Sequence, residues 1–308
     1  MKVAIIGAGI CGLYLGWKLS EKGRQVTIFE KKSEIGKKAC SGLFSERILE
    51  FIPESQKFIE NEINYCLIRF PKKTLKIKFS KKFLVMSHFE LDNLVADLAK
   101  KAGAKIIFNS NINSIPEGFD KIIGCDGPNS FVRKSLGLPD PNFRLAIQGF
   151  TTQNNNSSYV ETWSTKNGFI WKIPRGGETE YGIIEAPETA KSLFGKFLKT
   201  KNLNLERTNS AIIPQGLVVP FNSKITLCGD AMGLTKPWSG GGVIWGLTAA
   251  DLLLKNFPDF VKYQREIKRF FLPKIIFSKI AVKMVYFLGF NFPWLLPKNI
   301  KIEGDFLI

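Results

Sequence analysis

Paired cysteines are missing from this sequence, and histidine is nearly absent. The chain has five cysteines with no Cys-x-x-Cys pair, and its one histidine is His88. An odd number of widely spaced cysteines argues against a disulfide framework and against a zinc site, and it is typical of a reducing compartment. We therefore expect no metal site and a cytoplasmic location. The cysteines are Cys11, Cys40, Cys66, Cys125 and Cys228.

Acidic residues are scarce relative to basic ones. The chain has 27 Asp and Glu against 44 Lys and Arg, a net charge of +17. This excess favours an anionic partner, which is nucleic acid, anionic lipid or a phosphorylated substrate, or else it reflects a lysine-rich solvated surface. The charges form no recognisable nucleic-acid reader motif, so we expect no nucleic-acid partner.

No signal peptide, internal repeat or low-complexity linker is apparent. The apolar residues 3–6 follow a single lysine and run directly into a glycine-rich turn, which predicts a strand and not a signal peptide. A chain of 308 residues can bury the core of one large domain or of two interleaved ones.

Residues 2–30 have the pattern of strand, tight turn, helix and strand. The turn is a Gly-x-Gly-x-x-Gly formed by Gly7, Gly9 and Gly12, and Glu30 ends the second strand. Glycines at these positions permit a tight turn, close approach to a pyrophosphate and close helix packing, while the acid can bind a ribose. The motif predicts a dinucleotide site without separating NAD from FAD.

The rest of the chain divides into α/β segments and a run of short strands. Alternating residues predict a hairpin over 65–79, and apolar periodicity predicts a helix over 89–102. Residues 143–213 predict an antiparallel sheet with one helix, after which α/β character resumes at Lys224. The nucleotide domain is therefore expected to be discontinuous, with a second sheet inserted in it.

Two later glycine-and-acid motifs also follow buried strands. Residues 124–133 read Gly-Cys-Asp-Gly-Pro-Asn-Ser-Phe-Val-Arg, where Asp and Ser are also ordinary helix caps. Gly229-Asp230-Ala231 leads into the Pro-Trp-Ser-Gly-Gly-Gly of residues 237–242, ahead of another helix. Successive glycines expose backbone N–H groups, and the helix adds positive potential suited to an anionic reduced flavin.

In this order the three motifs resemble the FAD fingerprints of flavoproteins with the para-hydroxybenzoate hydroxylase fold. The resemblance implies that Glu30 binds ribose and that Asp126 lies near the pyrophosphate and the NAD(P)H approach path. It also implies that Asp230 holds the flavin ribityl chain. The cofactor expected from it is FAD.

Within that superfamily the chain resembles the geranylgeranyl reductase family over residues 1–255. Lys38-Ala39-Cys40-Ser41-Gly42-Leu43 is similar to its Cys-x-Gly signature. Residues 169–174, Phe-Ile-Trp-Lys-Ile-Pro, are similar to its substrate-sheet motif, with Ile173 in place of an aromatic residue. Residues 237–242 are similar to its glycine loop beside the isoalloxazine. His88 departs from the family, which usually has an arginine there.

The fold class expected is α/β, with a discontinuous Rossmann-like FAD-binding domain and an inserted, mainly antiparallel β-sheet substrate domain. We assign residues 1–60, 82–140 and 216–256 to the first domain, residues 61–81 and 141–215 to the second, and residues 257–308 to a basic, aromatic C-terminal helical segment.

The site residues expected from the motifs and the resemblance form three groups. The catalytic candidates are Cys40, Gly240 and Gly241. The substrate-pocket candidates are Phe169, Trp171, Pro237 and Trp238. The cofactor-binding candidates are Gly7, Gly9, Gly12, Glu30, Lys31, Cys40, Ser41, Gly42, His88, Asp126, Gly127, Gly229, Asp230, Gly241, Gly242 and Val243.

Several of these residues have simpler interpretations. Cys40 is either a small buried residue or an active-site group that positions the alkene, tunes the flavin or assists protonation. His88 is either structural or faces FAD, in preference to acting as a general base. Phe169 and Trp171 either line the substrate cavity or belong to an ordinary sheet core.

The C-terminal residues combine charge with apolar character. Basic residues recur among Ile, Phe, Val and Leu over residues 262–283, and residues 284–296 are strongly apolar but too short for a membrane span. One interpretation is interfacial docking on a membrane through aromatics and lysines. The other is a helix that packs over the flavin domain and closes a substrate tunnel.

The function expected is FAD-dependent reduction of isolated C=C bonds in a polyprenyl lipid or isoprenoid. The electron donor is either NAD(P)H or a ferredoxin-like protein, since no second nucleotide-binding motif is visible. The main alternative is an FAD-dependent monooxygenase or halogenase of the same fold, and a flavin-bearing binding protein without turnover is a third hypothesis.

Overall fold

The structure is a computed structural model that describes residues 1–36 and 39–306. In chain order the strands are β1 (Lys2–Ile6), β2 (Gln25–Phe29), β3 (Leu43–Ser45), β4 (Ile59–Phe70), β5 (Lys73–Met86), β6 (Lys105–Ile107), β7 (Lys121–Gly124), β8 (Asn142–Thr151), β9 (Tyr159–Ser164), β10 (Phe169–Pro174), β11 (Thr179–Glu185), β12 (Glu206–Gln215), β13 (Ile225–Leu227) and β14 (Asn299–Ile302). The α-helices are α1 (Ile10–Glu21), α2 (Ile48–Phe51), α3 (His88–Lys101), α4 (Phe131–Ser135), α5 (Pro187–Thr200), α6 (Val243–Asn256) and α7 (Phe260–Asn291).

The chain forms two compact units, each built from three segments. Unit 1 comprises Met1–Lys37, His88–Asn142 and Pro214–Ile275, and unit 2 comprises Lys38–Ser87, Phe143–Ile213 and Ile276–Ile308. These bounds differ from the predicted ones, because residues 39–60 lie in unit 2, where β3 and β4 both pair with β5. The C-terminal segment predicted over 257–308 is divided between the two units.

Unit 1 contains a five-stranded sheet in the order β13-β7-β1-β2-β6, and every pair is parallel. Residues 3–6 of β1 are buried, as expected for a central strand of a sheet covered on both faces. The carboxyl ends of β1, β7 and β13 therefore meet at one edge of the sheet, and each leads into one of the glycine-and-acid motifs. This confirms the predicted Rossmann-like part of the fold class.

Unit 2 contains a larger, mainly antiparallel sheet in the order β12-β8-β11-β10-β9-β4-β5-β14, with β3 paired to β5. The predicted hairpin is confirmed but is longer than expected, since β4 and β5 run over Ile59–Phe70 and Lys73–Met86. β14 pairs with β5 in parallel and lies in a segment that the sequence analysis treated as helical. Its four residues are too few for periodicity to reveal.

Three cysteines of unit 1 come together, one from α1 and two from the loops that follow β7 and β13. Cys228 is hydrogen-bonded to both Cys11 and Cys125, and its Sγ donates to the Gly246 carbonyl at 3.7 Å. The hydrogen bond to Cys228, together with burial, raises the pKa of the Cys11 thiol. The hydrogen bond with Cys11 lowers the pKa of the Cys228 thiol, whereas the hydrogen bond with Cys125 and burial raise it. The net result is a raised pKa. In unit 2, burial raises the pKa of Cys66 to about 12.

Among the described residues, no group of three or more His, Cys, Asp or Glu side chains is arranged to hold a metal ion. In the same part of the chain, no helix is long and apolar enough to cross a bilayer.

These thiol environments predict slow reaction with a thiol-exchange reagent. The slow thiols are those with a raised pKa, namely Cys11, Cys66, Cys125 and Cys228. At about pH 8 a thiol with a raised pKa carries little thiolate, and the thiolate is the reacting form. We expect a thiol-exchange chromophore reagent to show one fast phase on the folded protein. That phase disappears in Cys40→Ala. After denaturation, five thiols react in the wild-type protein and four in the variant. A fast phase retained by Cys40→Ala would contradict the assignment.

Candidate functional site

The first motif is a turn that only glycine can make. Gly7 has a φ of +100°, and a Cβ there would lie 2.4 Å from the Cys125 carbonyl oxygen. A Cβ at Gly12 would lie 2.1 Å from the Gly7 carbonyl oxygen. Because both contacts are with backbone, no side chain can be accommodated by a rotamer change. The two glycines thus bring the loops after β1 and β7 into contact.

Gly9 differs from them, because it borders open space. It is the N-cap of α1, and no heavy atom of the described residues lies within 4 Å of a Cβ built on it. The first N–H groups of α1 have no acceptor within the helix and carry the positive end of its dipole. The space beside Gly9 is therefore suited to a pyrophosphate.

Glu30 directly follows β2 and supports this turn. One carboxylate oxygen accepts from the Ala8 N–H at 2.8 Å, and the other accepts from the Lys32 N–H at 2.9 Å. Its side chain is buried, whereas the neighbouring Lys31 is exposed. Each carboxylate oxygen has further lone pairs, so these bonds leave acceptor capacity for a ribose hydroxyl.

Asp126 in the second motif has one carboxylate oxygen that accepts a hydrogen bond and one that does not. Its Oδ2 accepts from the Val132 N–H at 3.1 Å. Its Oδ1 is buried and has no hydrogen-bond partner among the described residues. Gly127 follows with a φ of +79° and open space beside it. A buried, unpaired carboxylate oxygen is costly, which indicates a ligand at this position.

Arg133, the last residue of the second motif, joins it to the third. Its side chain is fully buried and donates to the carbonyls of Pro128 and Ala231, each at 2.8 Å. Ser130 caps α4 by accepting from the Arg133 N–H at 2.9 Å, as the capping interpretation predicted. The sequence analysis included Arg133 in the motif without giving it this role.

The third motif places a carboxylate and a lysine beside the glycine loop. A Cβ at Gly242 would lie 2.8 Å from Asp230 Oδ1, so glycine is required for the carboxylate to approach the start of α6. Lys236 is 6% exposed, and a Cβ at Gly241 would lie 3.5 Å from its Nζ. Sequence reasoning missed Lys236, although it is the sole charged residue between Asp230 and Asp251.

The remaining predicted residues of unit 1 lie around these loops. Gly229 has a φ of +66° and Gly240 a φ of +70°. Pro237 is half-buried, and the Trp238 ring meets the Trp245 ring edge-on at 5.8 Å. Val243 begins α6.

His88 begins α3, where it is 5% exposed and its Nε2 lies 3.3 Å from Asp92 Oδ1. This contact within one helix is what the structural interpretation of His88 requires.

The Cys-x-Gly segment is held by two polar side chains of unit 2. Gln148 Nε2 donates to the Cys40 carbonyl at 3.2 Å, and Arg175 Nη2 donates to the Ser41 carbonyl at 2.8 Å. Gly42 has a φ of +60°, and its carbonyl accepts from the Met86 N–H at 2.9 Å. Three successive backbone positions are thus fixed. Lys38, at the start of this motif, lies outside the described residues.

Arg175 belongs to a buried ionic network. Its guanidinium donates to Glu180 at 2.8 Å and to Glu60 at 3.0 Å. Burial lowers the pKa of Arg175, but the charges of Glu180 and Glu60 outweigh burial and raise it. Burial raises the pKa of Glu180, and Arg175 opposes that shift. Sequence reasoning missed Arg175, although it directly follows the Phe-x-Trp motif.

Trp171 lies in the core of unit 2. It is 7% exposed, its Nε1 donates to Glu180 at 2.8 Å, and Gly182 on β11 leaves room for its indole. Phe169 is half-buried and its ring centroid lies 6.1 Å from that of Trp171. The contacts satisfy the sheet-core interpretation of Trp171, while Phe169 keeps part of its ring accessible.

These features fit an FAD molecule at the loops of unit 1. The open space at Gly9, the unpaired oxygen of Asp126 and the glycine loop before α6 each provide a group suited to one part of a dinucleotide. The other predicted residues, Cys40 to Gly42 with Phe169 and Trp171, lie in unit 2.

Comparisons with known proteins agree with the motifs. Residues 5–49 match the family described as NAD(P)-binding Rossmann-like domain. Digeranylgeranylglycerophospholipid reductase 1 of Methanosphaera stadtmanae is 26% identical over 303 residues, which cover 82% of this chain and 75% of that protein.

Solved structures show the same fold. A geranylgeranyl bacteriochlorophyll reductase-like protein from Thermoplasma acidophilum has a TM-score of 0.80 and 22% identity, covering 92% of this chain and 86% of that one. A tryptophan 6-halogenase from Streptomyces toxytricini has a TM-score of 0.68 and 16% identity, covering 83% and 72%. The comparisons confirm the fold class and the predicted resemblance to geranylgeranyl reductases.

The space beside Gly9 yields a prediction about cofactor binding. In Gly9→Val the Cβ has no protein heavy atom within 4 Å, and the side chain extends into the space assigned to the pyrophosphate. We expect flavin affinity to fall by about tenfold or more. The free energy of unfolding of the flavin-free protein should fall by only about 1 kcal/mol, as for a changed N-cap. Flavin absorbance after gel filtration measures the first quantity.

Gly195→Val is the matched control, because Gly195 in α5 also borders open space. It should keep its flavin. Equal flavin content in both variants would contradict the placement of the pyrophosphate at Gly9.

The Arg175 network predicts a large loss of stability when the guanidinium is removed. Arg175→Met leaves Glu180 buried without its partner, so the free energy of unfolding should fall by about 3–5 kcal/mol. Arg207→Met breaks the exposed ion pair with Glu178 and should cost about 1 kcal/mol or less. Urea unfolding measures both, and similar costs would show that the buried network contributes little.

Proposed function

We propose that this protein is an FAD-dependent reductase that adds hydrogen across isolated C=C bonds of a geranylgeranyl lipid or related isoprenoid. The observation that carries the proposal is the fixed Cys40-Ser41-Gly42 segment, held through its backbone by Gln148 and Arg175. A cysteine that merely fills a core needs no such support. The names of the similar archaeal reductase and of the similar Thermoplasma structure support the same substrate class.

Within this proposal, unit 1 holds the cofactor. The backbone at Gly9, the carboxylates of Glu30 and Asp126, and the loop from Asp230 to Gly242 bind FAD. When bound, FAD supplies the hydride. The Lys236 ammonium and the N-terminus of α6 provide positive potential beside the glycine loop, which favours an anionic form of a reduced ring.

An isolated alkene is a poor hydride acceptor, which sets the requirements on the protein side chains. Proton donation to one alkene carbon must develop positive charge on the other, and a dry, aromatic environment shields that charge from water. In unit 2 we assign this shielding to Phe169, whose ring is partly accessible. Cys40 is the candidate for placing the alkene or for holding the proton at its Sγ.

Partners follow from the same proposal. The electron donor is NAD(P)H or a ferredoxin-like protein, and the basic surface suits an acidic protein donor. The substrate is a lipid, so we also propose peripheral contact with the cytoplasmic face of a membrane.

The alternative is an FAD-dependent monooxygenase or halogenase of the same fold. It is favoured by the similarity of residues 169–174 to the halogenase Trp-x-Trp-x-Ile-Pro motif and by the similar halogenase structure. Phe169 stands where that motif has its first tryptophan, and the Cys-x-Gly segment favours the reductase.

An anaerobic oxidation test separates the two functions. The holoprotein is reduced with dithionite, excess reductant is removed, and a geranylgeranyl lipid in detergent is added. A reductase reoxidises its flavin and yields a product heavier by two hydrogens per reduced bond. Flavin that reoxidises only in air, with oxygen entering a product, establishes the monooxygenase instead.

The role of Cys40 gives a further prediction. In Cys40→Ala we expect the rate of lipid-dependent flavin reoxidation to fall by about 10²-fold, the lower end of what a proton donor contributes, with flavin content unchanged. Cys66→Ala is the control, since Cys66 packs on the core of unit 2 outside the motif. A wild-type rate in Cys40→Ala would remove the proposed role.

A further inference from the structure

One face of unit 2 exposes an unusual amount of apolar surface. In the second half of α7 and the turn after it, the exposed large apolar side chains are Ile276, Phe277, Ile280, Met284, Phe287, Phe290, Phe292, Trp294 and Leu295. Ile276, Ile280, Met284 and Phe287 recur at helical spacing and form a continuous stripe. We name this set, with Trp294 and Leu295, the apolar stripe. Contiguous exposed apolar patches mark interaction sites.

A neighbouring face of the same helix packs against the end of β4, which fixes the position of the helix that carries the stripe. The Phe70 ring at the end of β4 meets Tyr286 edge-on at 5.9 Å and Phe290 at 5.5 Å. A Cβ at Gly289 would lie 2.3 Å from the Phe70 ring, so glycine permits this approach. Tyr286 donates to the Gly168 carbonyl at 2.8 Å.

The basic residues beside the stripe belong to two stretches of sequence that contain no acidic residue. No Asp or Glu occurs between Glu266 and Glu303, nor between Glu62 and Glu90. The first interval contains the exposed Lys279, Lys283 and Lys298. The second contains the β4–β5 hairpin, whose tip is joined to α7 through Phe70.

The hairpin tip adds a cationic cleft. The cleft measures about 650 Å³ and is lined by Arg69, Phe70, Pro71, Lys72, Lys73, Thr74, Trp163 and Ser164. Arg69 is paired with Glu161 at 2.7 Å. Lys72 and Lys73 have no carboxylate partner among the described residues, so their charges are available to an external anion.

We propose that the apolar stripe and the hairpin tip together dock unit 2 on an anionic lipid bilayer. The stripe enters the boundary between headgroups and acyl chains, Trp294 sits at headgroup depth, and Lys72 and Lys73 contact lipid phosphates. The charge pattern distinguishes this occupant from a second copy of the chain. A two-fold self-interface would bring the same basic residues face to face, whereas an anionic surface is complementary to them.

This inference deepens the proposed function by naming the lipid class and the surface that meets it, and its test needs no enzymatic activity. The holoprotein is sedimented with phosphatidylcholine vesicles, with and without phosphatidylglycerol. We expect binding that requires phosphatidylglycerol and weakens with added salt. Ile280→Glu combined with Phe287→Glu should abolish it. Phe221→Glu, at an apolar residue of unit 1 that is 78% exposed, should bind as wild type.

The lysines are tested in the same way. Lys72→Gln with Lys73→Gln should weaken vesicle binding by about tenfold or more. Lys191→Gln with Lys199→Gln removes two exposed lysines from α5 and should change it little. Trp294 fluorescence should be quenched by brominated acyl chains, and Trp294→Phe should remove that quenching.

Three outcomes would overturn the proposal. One is no binding to either vesicle, and another is equal binding by the stripe variants and wild type. The third is a lipid-free dimer that dissociates in Ile280→Glu, which assigns the stripe to a second copy. Each outcome is independent of the reductase assay in detergent, so failure of the docking surface and failure of the proposed function are distinguishable.

Discussion

The buried guanidinium of Arg175 is the constraint on which unit 2 and its candidate site depend. A charge removed from water must be paired and fully hydrogen-bonded, or its burial costs several kcal/mol. Arg175 meets this requirement with Glu180, Glu60 and the carbonyl of Ser41. Because Glu180 also accepts from Trp171, one network links the sheet core to the Cys-x-Gly segment. The position of that segment is therefore tied to the stability of the sheet.

Unit 1 is organised by close backbone contacts instead of charge. Gly7 and Gly12 allow the loops after β1 and β7 to touch, and Arg133 connects the second motif to the carbonyl of Ala231 in the third. The three loops leave the parallel sheet at the same edge, where a dinucleotide binds in folds of this kind. The unpaired oxygen of Asp126 marks the point at which this assembly is completed by a ligand and not by the protein.

The long helix α7 shows how a single element can serve packing and recognition. Gly289 and Tyr286 hold its second half against unit 2, while the apolar stripe remains exposed. The acid-free intervals place exposed lysines beside it, among them Lys279 and Lys283. The sequence analysis left membrane docking and packing over the flavin domain as alternatives. The contacts of Tyr286 and Phe290 are with Phe70 and Gly168 of unit 2, and the apolar stripe beside them is the surface that we propose for docking.

The sequence by itself determined the elements and the motifs. Local periodicity and glycine spacing specified β1, β2, α3 and α6 to within a few residues, and the hairpin by its turn but not by its length, because those signals reside in neighbouring positions. The same holds for the three FAD motifs and for the Cys-x-Gly segment. The predicted domain bounds differ from the two units where strands pair with distant partners. Residues 43–45 join the second sheet through β5, and β14 is defined by pairing with a strand more than two hundred residues earlier.

Only the tertiary structure decided which side chains support the motifs. The roles of Arg175 and Gln148 depend on contacts between segments far apart in the chain, and a single sequence contains no signal for such contacts. The meeting of Cys11, Cys125 and Cys228, which look scattered in the sequence, has the same origin. Burial and ion pairing are properties of the folded arrangement, so they became visible only when the strands and loops were brought together.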